Sequence, residues 1–172
     1  LLYLLNSLTD IWDKVELKFN SFALKFQKIM WKEKKSKVHG TGIVAIQEIK
    51  KGTKIIQYVG EKISKKEGDK RSAERIEKFL KMKNEGSVYV FELNNKFDID
   101  GSPLYNKARY INHSCDPNCE VDGKGLKLWI FALRDIKKGE ELSYDYGFSF
   151  DQDYKDFPCR CGSKKCVGFI LR

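Results

Sequence analysis

The 172-residue sequence predicts a mainly β domain with peripheral helices. Three observations carry that expectation. Short apolar, β-branched runs recur along the chain, separated by turns rich in Gly, Asn and Lys. Only two stretches show a helical apolar period. Hydrophobic residues make up 41% of the chain and include 11 Phe, which is enough for a core and excludes a disordered tail.

In order, Leu8, Ile11, Trp12, Val15, Phe19, Phe22 and Phe26 recur at steps of three and four, the pattern of an amphipathic helix that Ser7 can cap. Residues 28–31 read as the start of a strand, and 32–37 as a basic run. His39-Gly40-Thr41-Gly42 places two glycines where a backbone can pass close to a ligand. It lacks the third glycine and the helix of a dinucleotide fingerprint, and a plain turn is the alternative. Residues 43–49 and 55–61 read as strands, joined by the turn 50–52. From 64 to 84 the composition shifts to charged helix formers with the stripe Ala73, Ile76, Phe79, Leu80 and Met82, an inserted helix with a solvated basic face. Residues 88–93 and 97–100 form a hairpin around Asn94-Asn95. A last apolar strand, 126–133, is entered through the turn 122–125 and left through 137–139.

Lys and Arg exceed Asp and Glu by 33 − 24 = 9, which suits an acidic neighbour or a solvated basic surface. The apolar start, residues 1–5, stops at Asn6-Ser7, far short of a membrane span. Five cysteines, none before Cys115, do not resemble the even framework of a secreted disulfide domain. They point to a reducing, intracellular setting with a metal.

Cys159, Cys161 and Cys166 form C-x-C-x4-C. Three thiolates leave a zinc tetrahedron one ligand short. Beyond His39 and His113, only Cys115 and Cys119 remain, and Cys115 is the better choice because Pro117 and Asn118 turn Cys119 away. Cys119 reads as a small buried hydrophobe. A closed four-sulfur site does no chemistry; it would clip an apolar-poor C-terminal segment onto the central stretch 109–119, RYINHSCDPNC.

Residues 109–118, followed by 141–147 (ELSYDYG) and then C-x-C-x4-C, resemble the SET-domain protein-lysine methyltransferases with a post-SET zinc segment. His39-Gly40-Thr41-Gly42, Tyr58-Val59-Gly60-Glu61 and Tyr89-Val90-Phe91 fit the family's earlier motifs in order. The resemblance implies short sheets and a C-terminal stretch threaded under a loop near the Asn-His motif, a topology that periodicity does not reveal. It also implies an N-terminal helical extension at 1–26, a SET domain at 27–149 with an inserted helix at 64–86, and a zinc segment at 150–172. No cysteine precedes Cys115, so the cysteine-rich region found before many SET domains is absent and the first helix becomes the expected support.

The family's methyl donor is S-adenosylmethionine and its acceptor a protein lysine. By position, His39 and Thr41 would touch the donor through their backbones beside Gly40 and Gly42, and Tyr89, Arg109, Asn112 and His113 would complete the pocket. Tyr146 would be the catalytic tyrosine. Tyr58, Phe91 and Tyr144 would line the lysine channel. The resemblance makes His113 a structural and backbone contact rather than a base. Tyrosine instead of phenylalanine at 144 would hinder repeated methylation, so mono- or dimethyl product is expected. The expected substrate is a histone tail in chromatin, met through acidic contacts such as Glu92, Asp98, Asp100 or Asp145, or through nucleosomal DNA. The alternative is an inactive SET-fold module that binds peptides or chromatin.

Overall fold

The structure is a computed structural model that describes residues 29–82, 88–147 and 157–170. The described residues contain ten short strands: β1 (Trp31–Lys35), β2 (Thr41–Ala45), β3 (Lys54–Tyr58), β4 (Glu61–Ser64), β5 (Val90–Glu92), β6 (Phe97–Asp100), β7 (Asn112–His113), β8 (Cys119–Lys124), β9 (Lys127–Ala132) and β10 (Ser143–Tyr144). Helix α1 (Lys65–Met82) joins β4 to β5, and a 3-10 turn (Lys107–Tyr110) precedes β7. The strands form four small sheets, ordered β1-β2, β3-β9-β8, β4-β6-β5 and β10-β7. The expected first helix, 1–26, lies outside the described residues.

The central core is aliphatic. Ile43, Ile111, Ile130, Ile136 and Leu142 are fully buried, and Cys119 joins them as expected. Strand β9 shows the period-2 pattern that puts it there: Leu128, Ile130 and Ala132 point inward while Trp129 and Phe131 face out. Both of its neighbours, β3 and β8, pair with it antiparallel.

Several elements differ from expectation. Residues 32–35 of the basic run lie in strand β1, because pairing with β2 from Trp31↔Ala45 to Lys35↔Thr41 satisfies their backbone while their side chains stay in water. The strand expected at 43–49 ends at Ala45, and Ile49 returns as a single bridge to Ile136. The strand expected at 55–61 splits at Val59-Gly60 into β3 and β4, which belong to different sheets. Asp122, Gly123 and Lys124 lie in β8, so the turn into β9 is tighter than 122–125.

Helix α1 starts where Ser64 Oγ accepts the Glu67 N–H at 3.3 Å, with acidic Glu67 in the first turn and Lys81 in the last. It docks through charge as well as through half-buried Ile76 and Phe79, while Ala73 and Leu80 of the expected apolar stripe are exposed. Lys65 Nζ reaches buried Asp98 at 2.8 Å, and Arg71 and Arg75 reach buried Asp100 at 3.0 and 3.1 Å. Part of the face expected to be solvated is thus turned inward. Asp98 and Asp100, expected as contacts for a basic substrate, are already taken up by the helix, and exposed Glu92 pairs with Lys65 at 2.8 Å.

Strand β10 runs parallel to β7, with Ser143 opposite Asn112 and Tyr144 opposite His113. All the other paired strands are antiparallel. This register brings the Asn-His stretch against the tyrosine stretch from thirty residues later. After residue 157 the chain folds back on itself, with Cys159 N–H donating to Gly168 O at 2.8 Å and Ile170 N–H to Phe157 O at 2.8 Å.

Candidate active site

The turn before β2 is held from three directions. Gly40 adopts φ +48°, a left-handed conformation that costs glycine little. Ser36 N–H donates to Gly40 O at 2.9 Å, and Ser36 Oγ accepts Val38 N–H at 2.9 Å. Asn112 Nδ2 reaches the carbonyls of His39 at 3.2 Å and Thr41 at 3.4 Å, so β7 grips both sides of Gly40. Gly42 leaves room for a side chain: a Cβ there would lie 2.5 Å from Glu141 Oε1, which would have to shift.

His39, Gly40, Thr41, Val88, Tyr89, Arg109, Tyr110, Asn112, Tyr144 and Tyr146 line one cavity. The Arg109 guanidinium lies 4.4 Å from the centre of the Tyr89 ring and 5.5 Å from that of Tyr110. Its Nη1 donates to the Ser102 carbonyl. Its Nε–H is buried without a hydrogen-bond partner among the described residues. A buried cationic donor left unpaired costs stability, on the order of 1–3 kcal/mol or more. Arg109 itself lines the cavity, and the positive charge of its guanidinium there suits an anionic or strongly accepting ligand.

A second cavity adjoins the first and shares His39, Val88, Asn112 and Tyr146 with it. Its far wall comes from Ile76 and Phe79 of α1 and from Phe157, Pro158 and Arg160 of the C-terminal segment. Phe79 and Phe157 stack with centroids 5.4 Å apart and ring planes 15° apart, closing that end.

Behind the first cavity stands a chain of rings. Tyr58 meets Phe91 edge-on at 4.6 Å, Phe91 meets Tyr144 at 5.8 Å, and Tyr144 meets Tyr146 at 5.0 Å. Tyr144 and Tyr146 line the cavity; Tyr58 is 1% exposed and its hydroxyl donates to Tyr89 O at 3.0 Å. Tyr146 Oη donates to Ile111 O at 3.1 Å. Burial, reinforced by neighbouring phenols, raises the pKa of Tyr58, Tyr144 and Tyr146 well above the ordinary tyrosine value. All three stay protonated at neutral pH, so each can donate a hydrogen bond but none is a ready base.

His113 joins the rings to the cysteines. It is buried, and Tyr146 N–H donates to its Nδ1 at 3.2 Å. The ring proton therefore sits on Nε2, which lies 3.5 Å from Cys115 Sγ. Burial lowers its pKa, outweighing the opposing pull of Asp145 at 3.8 Å, and the ring is neutral at pH 7. It supports a sulfur from outside the ligand set and anchors the Tyr146 backbone.

Cys115, Cys159, Cys161 and Cys166 have their sulfurs within 4.8 Å of one another, a group that can hold a metal ion. Cys115 Sγ is 3.7 Å from Cys159 Sγ and 3.9 Å from Cys166 Sγ. A tetrahedron with metal–sulfur bonds of about 2.3 Å has edges of about 3.8 Å, so these separations suit a four-thiolate site. Although burial disfavours the Cys161 thiolate, backbone hydrogen bonds from Cys115 and Ser163 and the adjoining thiols bring its pKa down to about 6.

Most residues singled out in the sequence thus converge on two adjoining cavities and one cysteine cluster. Gly42, Tyr58 and Phe91 lie behind the cavity walls rather than in them. Val38, Val88, Phe79 and Phe157 were not singled out as site residues, because only the folded chain shows which side chains of α1, the C-terminal segment and the loops before β2 and β5 line the cavities. Glu141 and Ser36 were also missed; nothing local marks them.

A family model described as the SET domain matches residues 40–147. The chain is 39% identical over 168 residues to a "Histone-lysine N-methyltransferase, H3 lysine-4 specific" of Aspergillus oryzae, covering 94% of this chain and 13% of that protein. It is 39% identical over 136 residues to human "Histone-lysine N-methyltransferase 2D", covering 77% of this chain and 2% of that protein. To Drosophila melanogaster "Histone-lysine N-methyltransferase trr" it is 42% identical over 137 residues, covering 77% of this chain and 5% of that protein. The chain therefore spans only a small part of the length of these relatives. Because the matched model takes in the Gly40 turn, the Asn112-His113 junction and the tyrosine stretch together, the chain belongs to the SET-domain family.

Proposed function

We propose that the protein is an S-adenosylmethionine-dependent protein-lysine N-methyltransferase acting on a histone tail. The observation that carries this reading is the cavity in which the Arg109 guanidinium and the turn gripped by Asn112 meet the ring cluster ending at Tyr146. The names of the relatives support the histone-lysine class, and those of the fungal relatives make lysine 4 of histone H3 the first site to test.

The residues fit the donor. The Arg109 guanidinium would meet its carboxylate, the 39–41 backbone its flexible chain, and the second cavity, bounded by Phe79, Phe157 and the Asn112-His113 pair, its flat aromatic end. When bound, the donor supplies a methyl group on a cationic sulfur, open to in-line attack by an amine. A lysine must arrive neutral for this, and deprotonating it at pH 7 costs about 4.6 kcal/mol. The ring cluster lowers that cost by excluding water and so disfavouring the ammonium. Tyr146, kept protonated by burial and shared by both cavities, acts as a positioner. Tyr144 narrows the space beside the amine, so mono- or dimethyl product is favoured.

Zinc would occupy the four cysteines as one structural ion. The catalytic unit would be residues 27–149 including the inserted helix at 64–86, followed by a zinc segment at 150–172 and preceded by a helical extension at 1–26. The charge of +9 would favour nucleosomal DNA beside the tail, with chromatin as the place of action. Among the described residues no helix is long and apolar enough to cross a membrane.

Incubation of the zinc-loaded protein with methyl-labelled donor and core histones tests the reading. Label on a histone lysine, located by mass spectrometry, is expected; no label on any histone would leave the binding-module reading.

A further inference from the structure

One carboxylate oxygen lies behind the turn that carries Gly40. Glu141 Oε1 accepts Ser36 Oγ–H at 2.6 Å and Asn112 Nδ2–H at 3.0 Å. Ser36 Oγ in turn accepts the N–H groups of Val38 at 2.9 Å and His39 at 3.4 Å. The Asn112 amide also reaches the His39 and Thr41 carbonyls. The same oxygen abuts Gly42, where a Cβ would sit 2.5 Å away. Its backbone is fixed as well, by the bridge between Val44 and Glu141 and by Leu142 N–H donating to Ile43 O at 2.8 Å. The side chains of Ser36 and Asn112, which both contact the turn, thus meet at this one carboxylate oxygen. Glu141 itself lines neither cavity.

We propose that Glu141 is a positioning residue for the methyl donor, acting through Ser36 and Asn112 to set the direction of the His39 and Thr41 carbonyls. The proposal rests on the reading of that turn as the donor site. The carboxylate serves here as a shared acceptor for two neutral donors. An amide oxygen can accept the same two bonds, whereas a methyl group cannot.

The expected effects follow that difference. In Glu141→Ala, Asn112 loses its anchor and the turn can swing, so donor Kd and donor KM should rise about tenfold. The KM for the lysine peptide and the rate at saturating donor should stay within about threefold of wild type. Glu141→Gln should restore donor affinity to within about threefold. Ser36→Ala, at a half-buried position, should raise donor Kd by a smaller factor, about three.

The experiment is calorimetric titration of S-adenosylmethionine into the four zinc-loaded proteins, with circular-dichroism melts confirming folding and steady-state kinetics alongside. A selective rise in donor Kd in Glu141→Ala, rescued by Gln, bears the proposal out. Unchanged donor affinity in folded Glu141→Ala and Ser36→Ala overturns it. A loss of peptide KM or saturating rate equal to the loss of donor affinity overturns it too, since the defect would then be general. Failure of the wild type to bind the donor at all sinks the functional reading instead.

Discussion

At the scale of residues, the site depends on hydroxyls and guanidinium groups held in fixed places by burial. Tyr144 touches Phe91 on one side and Tyr146 on the other, so its hydroxyl has little freedom. Tyr144→Phe should therefore shift the product of extended reactions from mono- and dimethyl toward trimethyl lysine, read by mass spectrometry. An unchanged distribution, or a wild type that trimethylates readily, would contradict the steric account. Arg109 is not replaceable by lysine, because an ammonium cannot stand over the Tyr89 ring and also supply the fork that reaches Ser102. Arg109→Lys should raise donor Kd by about tenfold, measured by titration, for the loss of about one charge-assisted hydrogen bond. Much at this scale was legible beforehand. The cysteine spacing and the tyrosines singled themselves out, and Cys115 rather than Cys119 does join the sulfur cluster. Asp98 and Asp100 were misjudged because alternation along β6 does not say whether a substrate or a helix covers the acidic face.

The element that most depends on charge is α1. Its Arg71 and Arg75 converge on Asp100, whose Oδ1 also accepts Ser102 N–H at 3.0 Å, two residues along the chain and next to the Arg109 contact. Displacement of α1 would reach both cavities, since Arg75 and Phe79 line one and Ser102 supports Arg109 in the other. Asp100→Asn weakens charge-assisted hydrogen bonds whose arginine ends remain partly in water, so it should lower unfolding free energy by roughly 1–3 kcal/mol in urea melts. Burial disfavours the Asp100 carboxylate, but hydrogen bonds from Arg71, Ser102 and Arg75 win and its pKa is depressed. A carboxylate depressed on folding stabilises the fold above its unfolded pKa, near 3.9, and loses that contribution as pH falls through the folded value. The wild-type advantage over Asp100→Asn should thus be complete at pH 6 and shrink only below about pH 4. An advantage already lost by pH 5 would contradict the clamp. The helix itself was visible in its composition. Its docking mode was not, because lysines and arginines that face a buried carboxylate look the same in sequence as those that face water.

For the whole molecule, the decisive feature is the parallel meeting of β7 and β10. It places one residue, His113, against both the Tyr146 backbone and the Cys115 sulfur. Local periodicity could not have revealed it, since two-residue strands leave no pattern; family resemblance was needed. Among the described residues, the cysteines, the Phe79–Phe157 stack and the Lys165–Asp116 ion pair at 2.8 Å tie the C-terminal segment to the rest of the fold. The purified protein should carry one zinc per chain by elemental mass spectrometry. Chelation should open Arg160, Lys164 and Lys165 to trypsin before the rest of the domain, whereas a metal-free protein with the same protection would refute the clip. The central claim is that a donor cavity and a lysine-aligning ring cluster meet at Tyr146. It is tested most directly by single-turnover methyl transfer from bound S-adenosylmethionine to a histone H3 peptide, comparing wild type with Tyr146→Phe and measuring donor Kd in both. The expected result is donor affinity within about threefold and transfer slowed by about 10- to 100-fold, equivalent to roughly 1.4–2.7 kcal/mol of lost alignment. Equal transfer rates in the two proteins would contradict it.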